Sequence, residues 1–298
     1  MRPYAGPDDL RRMQALVTRA WQLRGPKVER HIGDVAWGRF QHVGREPEWR
    51  TLLWEEEANG EVVAWAWLFR PRTLDFQLHP ERTELLAAVV DWFEAEAEGD
   101  EPLVTSALRE DEAAVAELER RGYEAVRDEP WFAYLVRDLS DAPAEPRVPD
   151  GFRLRSVRGD EDVAARVAVH RAAFHPSRVT VESYRNVRRA YPYRADLDCV
   201  VEAPDGSLAS YCLVWFDEAI GVGELEPVGT HPDYERRGLA SAVCRFALRR
   251  LAALGATTAI VYARGDDTYP APKRLYESIG FREHTRSLEL RKPRGLKR

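Results

Sequence analysis

Apolar residues recur along the chain with two periods, and each change of period marks the border of a short element. In the first half the pattern predicts a helix near 8–22, then strands over 51–57 and 61–69 turned at Asn59–Gly60. A short strand at 74–78, a helix over about 81–97, a strand near 102–107, a helix at 110–121 and strands after Gly122 follow. Trp65 and Trp67 share the strand parity of Val63 and Phe69, which makes them core residues by default. Residues 138–150, DLSDAPAEPRVPD, contain three prolines and almost no apolar content, and read as a linker.

The second half repeats the order. A strand at 152–157 leads into helices near 160–173 and 180–190, and strands at 198–203 and 207–216 are joined by Pro204-Asp205-Gly206. A strand at 223–230, a long helix over about 236–254, a strand at 257–263, a helix at 271–279 and a strand pair from Phe281 complete it. His79-Pro80-Glu81 matches His231-Pro232-Asp233 in place, and Gly122-Tyr123 matches Gly280-Phe281, so the halves read as copies of one unit. The expected fold is α/β (α+β): two tandem domains, each a mixed, partly parallel twisted sheet flanked by helices. The boundaries are 1–139, a linker at 140–150, and 151–298.

Composition narrows the classes. With 298 residues, 44% hydrophobic and 10% aromatic, the chain can build a core, which excludes wholesale disorder. It holds no apolar run long enough to span a bilayer, and its start, MRPYAGPDDL, lacks a signal-like apolar stretch, so no membrane role is expected. Cys199, Cys212 and Cys244 are odd in number and widely spaced, which argues against a disulfide framework or a metal knuckle and points to a reducing, cytoplasmic compartment. Net charge is -6 and unevenly divided: residues 1–146 hold 18 Arg/Lys against 30 Asp/Glu, and residues 147–298 hold 26 against 20. A basic second half with scattered arginines suits a small polyphosphate rather than nucleic acid.

The chemistry concentrates in GELEPVGTHPDYERRGLA, Gly223 to Ala240. A strand ends at Thr230, a turn follows, and Arg236-Arg237-Gly238-Leu239-Ala240 opens a helix. First-turn N–H groups carry the positive end of the helix dipole, and Gly238 lets an oxygen approach them, so the segment is a candidate phosphate cradle. Glu235 to Ala240 resembles the Gln/Arg-x-x-Gly-x-Gly/Ala motif of the GNAT superfamily of N-acetyltransferases, with Glu235 as a departure. Leu275-Tyr276-Glu277-Ser278-Ile279-Gly280-Phe281 resembles the Leu-Tyr-x-x-x-Gly-Phe signature of the same family, although Tyr269 and Pro272 replace its usual Asn and Ala.

The resemblance implies a set of roles. Amides from Arg236 through Arg237, Gly238, Leu239, Ala240 and Ser241 would hold the diphosphate of acetyl-CoA, the co-substrate, with no metal. The main chain of Val228, Gly229 and Thr230 would pair with the pantetheine arm. Tyr276 would protonate the departing thiolate, since a phenol (pKa ~10) can donate to a thiolate (~8.5) within reach. A base is still needed, and Glu224 and Glu226 are both candidates; simple strand alternation gives them the parity of Val228 and Thr230. Pro227 cannot donate to a ladder, so a bulge or parting of strands is expected there. Leu275 and Ile279, four apart, are expected to be the buried stripe of the Tyr276 helix.

The first half lacks the equipment: Glu81-Arg82-Thr83-Glu84 follows His79-Pro80 without a glycine, and Leu118 stands where the second half has Tyr276. This is similar to tandem GNAT enzymes of the mycothiol synthase kind, in which one half acetylates and the other has lost the chemistry. The implied activity is acetyl transfer to a primary amine of a small molecule or peptide by a monomer or homodimer. The competing readings are a non-enzymatic CoA-binding regulatory module and a scaffold with both halves inactive.

Overall fold

The computed structural model describes residues 1–45, 48–69, 71–126, 130–141, 143–266 and 268–294. The first half runs β1 (Arg2–Pro3), α1 (Pro7–Arg24), α2 (Ile32–Phe40), β2 (Trp49–Glu55), β3 (Val62–Phe69), β4 (Thr73–Leu78), α3 (Leu85–Glu96), β5 (Leu103–Leu108), α4 (Glu112–Arg120), β6 (Glu124–Ala125) and β7 (Phe132–Asp138). The second runs β8 (Arg153–Ser156), α5 (Val163–Ala173), α6 (Val181–Val187), β9 (Asp198–Glu202), β10 (Leu208–Asp217), β11 (Val222–Thr230), α7 (Leu239–Ala253), β12 (Thr258–Arg264), α8 (Ala271–Ser278) and β13 (Arg282–Lys292). The fold is a mixed α/β one with a twisted, partly parallel sheet flanked by helices.

Three local differences from the sequence pattern matter for the site. Helix α2 forms where the pattern predicts none, closed by a capping box in which the His31 ring accepts from the Gly33 amide and Asp34 accepts from the His31 amide. Helix α7 starts at Leu239 rather than near 236, because Arg236 and Gly238 adopt left-handed φ values of 59° and 76°. The expected final strand pair is one strand, β13, of 11 residues.

The length of β13 reflects an exchange between halves. The sheet order is β1-β2-β3-β4-β5-β13-β7-β12-β11-β10-β9-β8. Residues 287–292 of β13 pair with β5 of the first half, whereas β7 inserts beside β12 of the second, from Thr258↔Asp138 to Arg264↔Phe132. Each half therefore takes its last central strand from the other, and the break in composition at 140–150 does not coincide with a break in the sheet. A cut there would leave an unpaired strand position in each half.

The cores are shared in the same way. Val222 and Ile260 of the second half pack into the cluster built by α1, α2, Trp65 and Trp67. Across the same seam the Gln14 amide donates to the Tyr191 carbonyl at 2.8 Å, and the Thr18 hydroxyl donates to Asp217 at 2.5 Å. Strand β10 is buried along its whole length, with Cys212, Val214 and Phe216 against α7 and Leu213 and Trp215 toward α2 and α6. Such a strand is a rigid bed for its neighbour β11.

Candidate active site

Strand β11 is held on one side and open on the other. It pairs with β12 only from Val222 to Glu224, so beyond Glu224 the two parallel strands share no ladder. Against β10 the register shifts between Cys212 and Val214, so that Glu226 and Pro227 together oppose one residue, Leu213. This is the bulge that Pro227 requires. It also corrects the expected parity: Glu224 pairs with Trp215 but Val228 pairs with Cys212, so the face alternation flips and Glu224 lies opposite Val228 and Thr230.

Past the bulge, the ladder fixes which amides are free. The His231 amide donates to the Ala209 carbonyl at 2.9 Å, and Tyr211↔Gly229 and Cys212↔Val228 follow in register. Because bonded and non-bonded pairs alternate in an antiparallel ladder, Val228 and Thr230 turn their N–H and C=O groups away from β10, into the gap. Gly229 faces the other way and is required there: a Cβ would lie 2.7 Å from the Tyr211 ring and 2.8 Å from the Ala173 Cβ.

The turn beyond Thr230 is an anion cradle by shape and by charge. Left-handed Arg236 and Gly238 flank Arg237, and alternation of this kind directs successive amides to one side. No side chain caps α7, and a Cβ on Gly238 would meet nothing within 4 Å, so the approach to the first-turn amides of Leu239, Ala240 and Ser241 is open. Arg236, Arg237 and Gly238 are exposed. These residues fit a diphosphate held by main chain, with the arginines at its edge.

Tyr276 lies across the gap on α8. It is buried at 6% exposure, whereas Leu275 is only partly covered, so the buried stripe is Tyr276–Ile279 rather than Leu275–Ile279. The ring packs edge-on to Phe281. Burial, then the neighbouring Cys244 and Cys212 thiols and the Glu226 carboxyl, hold the phenol well above its ordinary range, and it stays protonated.

The two glutamates differ. Glu224 is fully buried, with Oε2 3.1 Å from His31 Nδ1. Burial lowers the His31 pKa to about 4, and its Nδ1 already accepts from the Gly33 amide. The proton of this contact therefore belongs to Glu224, whose pKa burial pushes up to about 8. Glu224 is a neutral donor that ties β11 to the N-terminus of α2. Glu226 instead lines a cavity of about 440 Å³ between the halves and a second depression beside His42, His170 and Phe174. Burial, then repulsion from Asp34, raises its pKa to about 8. Among the described residues no side chain donates to it, while the Trp215 indole donates to its carbonyl at 2.7 Å.

The structure thus brings together Tyr276, Glu226, Val228, Thr230 and the turn, and sets Glu224 behind them. Reading by pattern missed Asp34, His31, Arg30 and Asp75 of the first half, which surround the same cavity or lie beneath it. The one signal available was the spacing of His31 and Asp34, a capping pair with an unusual capping residue. Trp67 is core and cavity wall at once, 2% exposed. His170 bonds the Tyr211 hydroxyl at 2.7 Å, a packing role. Among the described residues no group of His, Cys, Asp or Glu is arranged to hold a metal, and no helix is long and apolar enough to cross a membrane.

Residues 166–281 match the family described as acetyltransferase (GNAT). A mycothiol acetyltransferase of Streptomyces avermitilis is 32% identical over 152 residues, 50% of this chain and 48% of the relative. One from Saccharomonospora viridis is 33% identical over 186 residues, 57% and 58% of the two. These matches span about half the length of the curated relatives. A solved tandem GNAT protein of the clavulanic acid pathway shares the fold at TM-score 0.68, with 18% identity and coverage of 99% of this chain and 98% of that one. The matched segment contains β11, the turn, α7 and Tyr276, and it is this segment of the second half that is similar to the GNAT acetyltransferase family.

Proposed function

We propose that the second half, 151–298, transfers an acetyl group directly from acetyl-CoA to the primary amine of a small molecule, and that the first, 1–139, is a non-catalytic copy closing the acceptor side. The observation that carries this reading is the succession along one gap of a main-chain anion cradle, free strand amides, a carboxylate and a phenol. Acetyl-CoA supplies an activated acyl carbon and a thiolate leaving group. Glu226 takes a proton from the acceptor ammonium, the amine nitrogen bonds to the acyl carbon, the C–S bond breaks as Tyr276 gives its proton to the sulfur, and the proton that the nitrogen sheds on becoming an amide restores the Tyr276 phenol. The Val228 amide, turned into the gap, is placed to polarise the carbonyl. Glu224 takes no part in the proton transfers and acts through its hydrogen bond to His31, which ties β11 to α2.

The inactivity of the first half has its own support. Strands β4 and β5 also part, sharing a ladder only at Thr73 and Leu74. Yet α3 begins after Glu84, a carboxylate in helical conformation with no left-handed glycine before it, and Leu118 replaces the phenol at 0% exposure. A carboxylate at that position repels a phosphate.

The test pairs binding with turnover. Acetyl-CoA should raise Tm, and thiol release should depend on added amine. Tight CoA binding without transfer to any amine would instead identify a regulatory module, and no Tm shift at all would leave a scaffold.

A further inference from the structure

We propose that the acceptor is a di- or polyamine, seated by carboxylates that the first half contributes. The inference rests on acetyl transfer occurring at Glu226. Beside that residue the cavity of about 440 Å³ is walled by Glu29, Asp34, Asp75 and Glu289 as well as Glu226. Arg30 is the one basic residue among its described lining groups. Its guanidinium is engaged by Asp75 at 2.7 Å and approaches Glu29 at 3.6 Å, while Glu289 accepts from Arg291 at 2.7 Å. Asp34 and Glu226 have no ion pair among the described residues. Among the described residues, with Glu289 matched outside, four carboxyl groups face one guanidinium; burial holds Glu29, Asp34 and Glu226 toward the protonated form, and a bound cation offsets that burial and favours their ionised form.

The remaining walls suit a cation with an alkyl body. Trp37, Trp67, Phe69, Phe132, Tyr134 and Tyr262 line the space, and aromatic faces attract ammonium groups and pack against methylenes. Two of these rings carry polar atoms that are closed to solvent and have no hydrogen-bond partner among the described residues: the indole N–H of Trp67, 2% exposed, and the hydroxyl of Tyr262. The Tyr262 hydroxyl lies in the field of Asp34 and Glu224 and can accept from an ammonium. Burial, with repulsion from Glu224 at Asp34 and from Asp34 at Glu226, holds both groups above the ordinary carboxylate range, and a bound cation relieves both. A free carboxylate on the acceptor would meet the same field as repulsion. The class that fits is an amine with a second cationic nitrogen and no carboxylate.

The experiment compares 1,5-diaminopentane, pentylamine and 5-aminopentanoate as acceptors for the full chain at fixed acetyl-CoA. The expected order of kcat/KM is diamine above monoamine by about tenfold or more, with the amino acid lowest. Asp34→Asn is expected to raise KM for the diamine by about tenfold while leaving the Tm shift with acetyl-CoA intact. Because Asp34 also caps α2, Asp75→Asn serves as a second variant: it leaves Arg30 less neutralised and should raise the same KM without touching the helix cap. Equal kcat/KM for diamine and monoamine, or preference for the amino acid, overturns the polyamine assignment and leaves acetyl transfer standing. Absence of transfer to every amine overturns the reading beneath it and this inference together.

Discussion

Tyr276→Phe is expected to lower kcat for acetyl transfer by roughly 10²-fold or more, with affinity for acetyl-CoA nearly unchanged. The substitution removes one oxygen from a ring that is otherwise core, packed on Phe281 above Cys212 and Cys244, so the fold has no reason to change. It removes the proton donor for the sulfur, whose departure must then proceed as a free thiolate. Because burial holds the phenol above its usual pKa, the wild type should also show no alkaline fall in rate from Tyr276 below about pH 10. Pre-steady-state measurement with a single turnover of acetyl-CoA separates the chemical step from product release. A chemical step as fast in the variant as in the wild type removes Tyr276 from the mechanism.

The second large effect is at Glu226. A base must be deprotonated to act, so kcat/KM should rise with pH through about 8, the value to which burial and Asp34 raise this carboxyl. Glu226→Gln should lose that ascending limb and about 10²-fold or more of kcat. Glu224→Gln should behave differently, because a neutral amide can still donate to His31 Nδ1 as the protonated acid does. Most of its activity should survive, and the change should appear in stability. The Glu224 pKa is about 8 folded against 4.5 for the free side chain, so the folded state binds more protons across that window and wild-type stability falls as pH rises from 4.5 to 8. The amide variant should show a flatter Tm profile there. If instead Glu224→Gln abolishes turnover and Glu226→Gln does not, the roles are reversed.

How far these residues were legible follows from the range of the forces that place them. The elements of the second half follow hydrophobic period, and the turn after Thr230 follows from glycine and helix-end chemistry, both of which act within a few residues. Pro227 announced its bulge, but the flip of parity that the bulge imposes put Glu224 on the far face from Val228. Tyr276 was found by motif, yet its burial was misjudged because α8 presents Tyr276 and Ile279, not Leu275, to the α7 side. Helix α2 was missed: nine residues give a weak period, and its cap is a histidine. That omission hid Asp34 and the partner of Glu224. The exchange of β7 and β13 depends on pairings more than a hundred residues apart, which no local pattern encodes.

The most direct test of the central claim is a crystal structure of the full chain with coenzyme A. The diphosphate is expected on the main-chain amides from Arg236 to Ser241, the pantetheine arm along Val228 and Thr230, and the sulfur within hydrogen-bond reach of the Tyr276 hydroxyl. A coenzyme seated only in the cleft between β4 and β5, or one whose sulfur lies far from Tyr276 and Glu226, would contradict the account.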